Sequence, residues 1–360
     1  MTAALPSTID DITPEWLTMA LGTRLPGVEV VDVAVDEVLR GTATKVFVQP
    51  TYGDGDPPPG APGSVCVKGA FEDNAALMAA TGIYEREAVF YRDLAPGLPP
   101  TGTAAWFADA DPRTRLGVVV LDDLRREATF CRATSPLSID EVAAGLELIA
   151  RYHGATYAGP VLHEHPALHS YVTRDNPSGH YFATMDAERV AHFLALPLRS
   201  AAIPVELHRP DLVIDLFWRW VDQSQEGPWV LAHGDDHIGN WFRRHDGTLG
   251  LVDWQTICRM RPAHDVAYFI TSALDVDDRR AAERDLLRSY HGCLTAAGVQ
   301  PATFDELWLD YRRHMAFGLM AWLTSLEWMN PEPIHAAAVG RFAHAVLDLE
   351  VASALGRAPG

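Results

Sequence analysis

The sequence predicts an α+β fold of two lobes, a small β-rich lobe over residues 1–121 and a large, mainly helical lobe over 122–360. Short alternating or β-branched runs crowd the first lobe. Long apolar stripes of helical period dominate from residue 138 onward, and a small island of strand and turn signals, 229–254, interrupts them. A chain of 360 residues can hold one large domain or two ordinary ones.

TPEWLTMAL (13–21) reads as a helix, with Thr13 as cap, Pro14 at the first position and Glu15 in the first turn. VEVVDVAVDEVL (28–39) and KVFVQPTY (45–52) alternate as strands do, and SVCVKGA (64–70) is a short β-branched run. GDGDPPPGAPG (53–63) is a loop. A helix is expected at 81–94, and VVVLDDL (118–124) is a buried-strand candidate. Helices are then expected at 138–158, 182–196, 210–225, 279–298 and 303–329.

Apolar residues make up 48% and charged residues 21%, a globular composition. Lys plus Arg number 29 and Asp plus Glu 48, a net charge of −19. That charge opposes a general nucleic-acid binder, which must neutralise phosphates. It suits a cationic or neutral small ligand, or a metal-carried one. No uncharged apolar run approaches the ~20 residues of a membrane helix. The N-terminus lacks the pattern of a signal peptide. Cys66, Cys131, Cys258 and Cys293 are scattered, without a CxxC, and read as reduced thiols. The expectation is a cytoplasmic protein with no nucleic-acid or membrane partner; the oligomeric state is not legible.

The densest chemistry lies in WVLAHGDDHIGNWFRRHDGTLGLVDW (229–254). WVLA, WF and LGLV read as strands, with a hairpin turn at Asp246-Gly247. A hairpin centred there sets residue 240 opposite 253, within a residue of register, so Asn240 and Asp253 fall side by side and Asp235 lies a short loop upstream. An Asn–Asp pair with room for waters suits Mg²⁺, which takes oxygen ligands. A further carboxylate suits a base, and these are the parts that phosphoryl transfer requires. The bland alternative is solvated turn chemistry. A rival is a hydrolase metal site on His233, Asp235 and His237, which needs further His ligands.

Lys68 sits in SVCVKGA with apolar neighbours on both sides, and burying a lysine unpaired is costly. In GIYEREAVFYRDL (82–94), Ile83, Phe90 and Leu94 form a stripe that Glu87 shares and Glu85 does not. A Lys68–Glu87 ion pair is therefore expected. The alternative is a boundary-exposed Glu87 with Lys68 at a strand edge. LRGTATKVFV (39–48) holds one glycine, Gly41, and Thr42 to Thr44 could donate hydrogen bonds to a phosphate; it also fits an ordinary hairpin. No Walker A motif occurs, which excludes a P-loop kinase.

HGDDHIGN (233–240) resembles the H-G-D-x-H-x-G-N pattern of the aminoglycoside phosphotransferase-like kinases, which share the protein-kinase-like fold. LVDWQ (251–255) resembles their second, metal-binding signature. Gln255 after the aromatic looks closer to the branch with ecdysteroid-kinase-like enzymes. The resemblance runs over nearly the whole chain, and its specificity lies in the two motifs occurring together. It implies that Asp235 is the base or hydroxyl-orienting residue, that Asn240 and Asp253 are Mg²⁺ ligands, and that Asp265 and His233 brace the loop. It implies that Lys68 and Glu87 serve the ATP α- and β-phosphates, and that Asp122 and Leu124 approximate the adenine linker. The glycine-poor loop with Gly41, Thr42 and Thr44 is a mild departure.

The resulting expectation is an ATP- and Mg²⁺-dependent kinase acting on a hydroxyl of a small molecule. The alternatives are a nucleotide-binding pseudokinase regulator and a metal-dependent hydrolase. In YRRHMAFGLMAWLTSLEWMN (311–330), Met315, Leu319, Trp322 and Leu326 form a helical stripe that Trp328 and Met329 extend beyond, and Trp218 and Trp220 lie on opposite sides of an earlier helix. Surplus aromatic surface and no terminal acidic cluster point to an uncharged acceptor, steroid-like or polyketide-like, over a kanamycin-type polycation.

Overall fold

A computed structural model describes residues 4–53, 57–71 and 79–357; residues 54–56 of the Pro/Gly loop lie outside them. The fold is α+β and the chain forms two compact units. One comprises residues 1–129 and 244–256, the other 130–243 and 257–360.

The first unit is built on a five-stranded sheet: β1 (Val30–Leu39), β2 (Thr44–Tyr52), β3 (Val65–Gly69), β4 (Ala105–Asp111) and β5 (Leu116–Asp122), in the order β1-β2-β3-β5-β4. All pairings are antiparallel. β4 was not expected; its half-buried residues give little alternation to read. Helix α1 (Pro14–Gly22) starts where Thr13 accepts from the Trp16 N–H, and it packs Trp16, Leu17, Ala20 and Leu21 onto one sheet face, against Val46, Val48, Val65, Val67, Val118 and Val120. Every residue of β3 is buried, so both its faces are covered. Strand alternation then places Lys68 and Cys66 on the face opposite Val65 and Val67. Helix α2 (Ile83–Val89) continues through one π turn, Phe90–Leu94. It lies so close to β5 that a side chain at Gly117 would meet the Tyr84 carbonyl.

The second unit is helical. Its longer helices are α3 (Ile139–Thr156), α4 (Pro210–Gln223), α5 (Ala263–Ala273), α6 (Val276–Ala296), α7 (Phe304–Leu323) and α8 (Glu332–Asp348). Ser138 with Glu141, and Thr303 with Glu306, form capping boxes that start α3 and α7. A two-stranded antiparallel ribbon pairs Val230–Ala232 with Cys258–Met260.

Two expected helix spans need correction, one helix was not expected, and the hairpin register is now defined. The stripe at 182–196 is two helices, Pro177–Ala183 and Ala187–Leu194, because Asp186 caps a new start by accepting from the Arg189 N–H. Helix α7 ends at Leu323, so Leu326 does not belong to its stripe: the Thr324 and Ser325 hydroxyls donate to the Met320 and Ala321 carbonyls and close the helix. Helix α5 was not expected, because all of its residues are buried and no polar face remains to reveal a period. The hairpin loop holds three residues, 245–247: the Arg244 N–H donates to the Thr248 carbonyl, and Gly247 closes the loop at φ +87°. Its register therefore differs by one from a turn centred on Asp246-Gly247.

Candidate functional site

In the first unit the buried Lys68 ammonium lies between two carboxylates. Its Nζ is 2.8 Å from Glu87 Oε1 and 2.7 Å from Asp253 Oδ1. The strand lysine and the helix-stripe glutamate thus form the expected ion pair, while Glu85 turns away to Arg115 at 2.7 Å. Burial alone would pull the Lys68 ammonium down, but Asp253 and Glu87 overcome it and hold the group above its ordinary value. Burial raises the Glu87 carboxyl, against the pull of Lys68. One cation shared between two carboxylates, one of them wholly enclosed, accounts for both directions. Lys45 Nζ lies further off, 3.9 Å from Asp253 Oδ2.

Asp253 has φ +70°, a left-handed conformation that non-glycine residues rarely adopt. The next residue pins it there: Trp254 stacks on Phe90, centroids 3.8 Å apart and planes within 5°. Phe90 directly follows the helix that carries Glu87. The two acids around Lys68 are therefore locked to one another through a buried aromatic pair.

The remaining first-unit candidates sit apart from this triad in kind. Gly41 is exposed and Thr42 half-buried; the Tyr84 hydroxyl donates to the Thr42 carbonyl at 2.8 Å and so ties the loop to α2. Thr44 is fully buried within β2, opposite Gly69. Asp122 accepts from the Trp106 indole N–H at 2.8 Å, and burial raises its carboxyl. Leu124 is buried.

In the second unit, Asp235 and Asn240 lie on the loop and single 3-10 turn that follow Val230–Ala232. The Asp235 N–H donates to His233 Nδ1 at 3.3 Å, and its carbonyl accepts from the His237 N–H and from Asn240 Nδ2, both at 2.8 Å. The backbone of Asp235 is thus held on both sides while its carboxylate stays about a third exposed, 3.7 Å from His237 Nε2. His237 Nδ1 accepts from the Gly239 N–H at 2.9 Å, so its Nε2 carries the proton. With Asn240 Nδ2 committed to a carbonyl, its amide oxygen is the atom left to accept.

Asp265 anchors this loop from α5. Its carboxylate accepts from the backbone N–H of His233 at 2.7 Å and of Gly234 at 3.0 Å, from the Tyr152 hydroxyl at 3.0 Å and from His153 Nε2 at 3.1 Å. Although burial opposes it, hydrogen bonding from His153 and the nearby imidazoles hold the Asp265 carboxyl well below the usual range. Asp236 is the counter-case. It is fully buried, accepts from the Trp241 indole at 2.6 Å and meets the Tyr152 hydroxyl at 3.3 Å. Burial and then the Asp265 charge push it well above the usual range. The two neighbouring carboxyls are thus pushed in opposite directions, Asp265 down and Asp236 up.

Sequence reasoning missed Asp236, Tyr152, His153 and the contact between Lys68 and Asp253. A signal did exist for two of them: Tyr152 and His153 follow Leu146 and Ile149 on the buried stripe of α3, where a polar residue needs a partner. His233 and His237 each spend Nδ1 on a backbone N–H, and among the described residues no group of three or more His, Cys, Asp and Glu is arranged to hold a metal ion.

An antiparallel five-stranded unit bearing a buried lysine–glutamate pair, joined in sequence to a helical unit, is the protein-kinase-like architecture of small-molecule phosphotransferases. The chain belongs to the ecdysteroid kinase-like family, whose model matches residues 61–298. Among solved structures it is similar to a Ralstonia eutropha protein described as a candidate aminoglycoside phosphotransferase, at 15% identity over 93% of this chain and 98% of that one, TM-score 0.52. It is also similar to APH(2″)-IIIa, solved with GDP and kanamycin, at 12% identity over 93% and 97%, TM-score 0.50. A third is the choline kinase LicA from Streptococcus pneumoniae, at 12% identity over 93% and 98%, TM-score 0.47. A search of curated proteins finds no match. Among the described residues no helix is long and apolar enough to cross a membrane.

Proposed function

We propose that this protein is a kinase that moves the γ-phosphate of ATP to a hydroxyl of a small molecule. The observation that carries the reading is Lys68, a buried cation whose two carboxylate partners keep it charged and fixed in direction. A permanently charged, pre-aimed ammonium is what a nucleotide's phosphates require, and its two partners compensate the charge while no nucleotide is bound. Gly41 and Thr42 offer backbone and hydroxyl donors on the adjoining loop; Thr44, enclosed in β2, supports that loop through the sheet. Asp122 and Leu124 lie where β5 ends, as the expected linker to the base.

Asp235 has the features of a hydroxyl-orienting carboxylate: a rigid backbone and a partly exposed side chain. It would accept the hydrogen bond of the acceptor hydroxyl, align the oxygen for in-line attack and take its proton as the new bond to the γ-phosphorus forms and the bond to the departing ADP breaks. Asn240 and Asp253, assigned as metal ligands from their two motifs, carry an amide oxygen and a carboxylate, the donor types a hard cation takes. Mg²⁺, when bound, supplies charge neutralisation on the β- and γ-phosphates. The acceptor we favour is largely uncharged, because Trp328 and Met329 remain exposed at 54% and 43% and bring apolar rather than acidic surface.

The test is a transfer assay with ATP·Mg²⁺ and two acceptor panels side by side, aminoglycosides and uncharged polycyclic alcohols, read by mass spectrometry of the product. Phosphorylated alcohol is the expected product. Efficient turnover of aminoglycosides alone would reject the acceptor class, and ATP binding without transfer to any hydroxyl would favour a regulator over an enzyme.

A further inference from the structure

Three buried ring nitrogens behind the Asp235 loop have complementary needs. His264 Nε2 lies 3.0 Å from the Gly234 carbonyl. A carbonyl only accepts, so Nε2 carries the hydrogen and Nδ1 presents a lone pair. His314, on α7, meets the Asp310 carbonyl through Nδ1 at 2.7 Å, so its Nε2 presents a lone pair too. Trp220, on α4, has one polar atom, the donor Nε1–H. His264 Nδ1, His314 Nε2 and Trp220 Nε1 are all buried and have no hydrogen-bond partner among the described residues. The three side chains are 1%, 3% and 1% exposed.

These rings touch pairwise. Trp220 and His264 are stacked with centroids 6.0 Å apart; His314 meets Trp220 edge-on at 5.5 Å and His264 edge-on at 5.6 Å. Phe317 packs against Trp220 at 5.0 Å and His264 at 4.7 Å, and the rings of Tyr171 and Tyr268 lie 6.1 and 6.4 Å from His264. Burial pushes both imidazoles below their ordinary value, so both rings are neutral near pH 7. The inventory is therefore one donor and two acceptors. A direct bond between the indole and one imidazole leaves the other acceptor unmet. A cation would accept both lone pairs but would face the indole N–H. A water molecule has two hydrogens to donate and a lone pair to accept with, and it satisfies all three.

We infer that Trp220, His264 and His314 hold a single structural water, which accepts from the indole and donates to both imidazoles. The water has a consequence for the loop. By donating to His264 Nδ1 it keeps that ring in the Nε2–H tautomer, and Nε2–H fixes the Gly234 carbonyl next to Asp235. Gly234 sits at φ +84°, so its peptide has no side chain to restrain it. His264 is thus a positioning residue, and α4 and α7 reach the loop through the water. The inference does not depend on what reaction Asp235 serves.

A crystal structure fine enough to show ordered water tests it directly. One peak within about 2.7–3.2 Å of all three nitrogens is expected. Rings paired directly, an anomalous metal peak, or an empty space there would each overturn it. Side-chain ¹⁵N spectra near neutral pH should show the Nε2–H tautomer for His264 and the Nδ1–H tautomer for His314; either opposite tautomer overturns it. Trp220→Phe keeps an aromatic side chain, though a smaller one, and removes the donor, and should speed hydrogen exchange at His264 Nε2 by about tenfold or more. An unchanged exchange rate overturns the inference. Should Trp220→Phe fail to fold, the density and tautomers of the natural protein decide alone.

Discussion

Lys68 is held by charge, Asp235 by backbone. In the first unit the chemistry-bearing groups touch one another: one ammonium, two carboxylates, and an aromatic stack that locks both acids. In the second, the Asp235 carboxylate is a third exposed with the Tyr268 hydroxyl as its partner, and the peptide that carries it is fixed through His233, His237 and Asn240 and, one step behind, through Asp265. The difference follows from the tasks proposed for them. A phosphate-binding cation must stay charged while buried, which needs partners in direct contact. A hydroxyl-orienting carboxylate must keep an oxygen available, so its position is set largely through the main chain.

Asp235→Asn tests the second arrangement with the largest expected effect. Transfer should fall by about 10²–10⁴-fold with little change in thermal unfolding, because the side chain is partly exposed and an amide oxygen can still accept from its partner, the Tyr268 hydroxyl. Turnover near the natural rate would show that Asp235 is not the group that handles the hydroxyl.

Asp265→Asn should do the reverse, costing about 3–5 kcal/mol of unfolding free energy. The new amide nitrogen faces donors that the carboxylate now accepts, two backbone N–H groups among them. Denaturant unfolding measures this; a loss under about 1 kcal/mol would mean that the loop is braced elsewhere.

The first arrangement is tested by a double-mutant cycle on Lys68→Met and Glu87→Gln, read as ATP affinity and as stability. Contact at 2.8 Å in a buried site predicts a coupling of about 1–3 kcal/mol. Additive effects would mean that Asp253 alone holds the lysine.

The smallest effect is pH dependence. Burial pushes His264 below 6.5 and His314 much further below it. Below about pH 6.5 the unfolded chain binds protons on these rings that the folded chain refuses, so their contribution is complete above that value and is lost as pH falls. Glu87 and Asp236, raised by burial, act in the opposite sense: what they contribute is present at low pH and lost as pH rises. The clean reading is therefore a difference. Between pH 6.5 and 5, His314→Leu should lose stability less steeply than the natural protein, by up to about 1.4 kcal/mol per pH unit. Equal slopes would mean that His314 titrates normally.

What could be read beforehand divides along the same line. Lys68 and Glu87 each break an apolar pattern, and a broken pattern in a buried element demands a partner, so their pairing was legible. Asp235, Asn240 and Asp253 stood out as a spaced set of polar residues over two motifs, the first expected as a base and the other two as Mg²⁺ ligands. Asp265 was known only through resemblance, since its contacts are to backbone N–H groups, which every residue possesses and no spacing records. Helix α5, which carries it, is buried all round and shows no period.

From the sequence alone, then, came the β-rich and helical halves, the side chains proposed here for phosphate chemistry, and the lysine that needed a carboxylate. Alternation, helical period and the cost of a lone buried charge are local rules, and they operate before the chain folds. Tertiary structure decided the rest: that Asp253 takes the second side of Lys68 from a left-handed backbone, that α7 stops at Leu323, and that the Asp236 carboxyl is pushed up while Asp265 beside it is pushed down. Each of these depends on desolvation and on partners far apart in the chain, because a group's ionisation and a strained backbone are set by what encloses them and not by their neighbours in sequence.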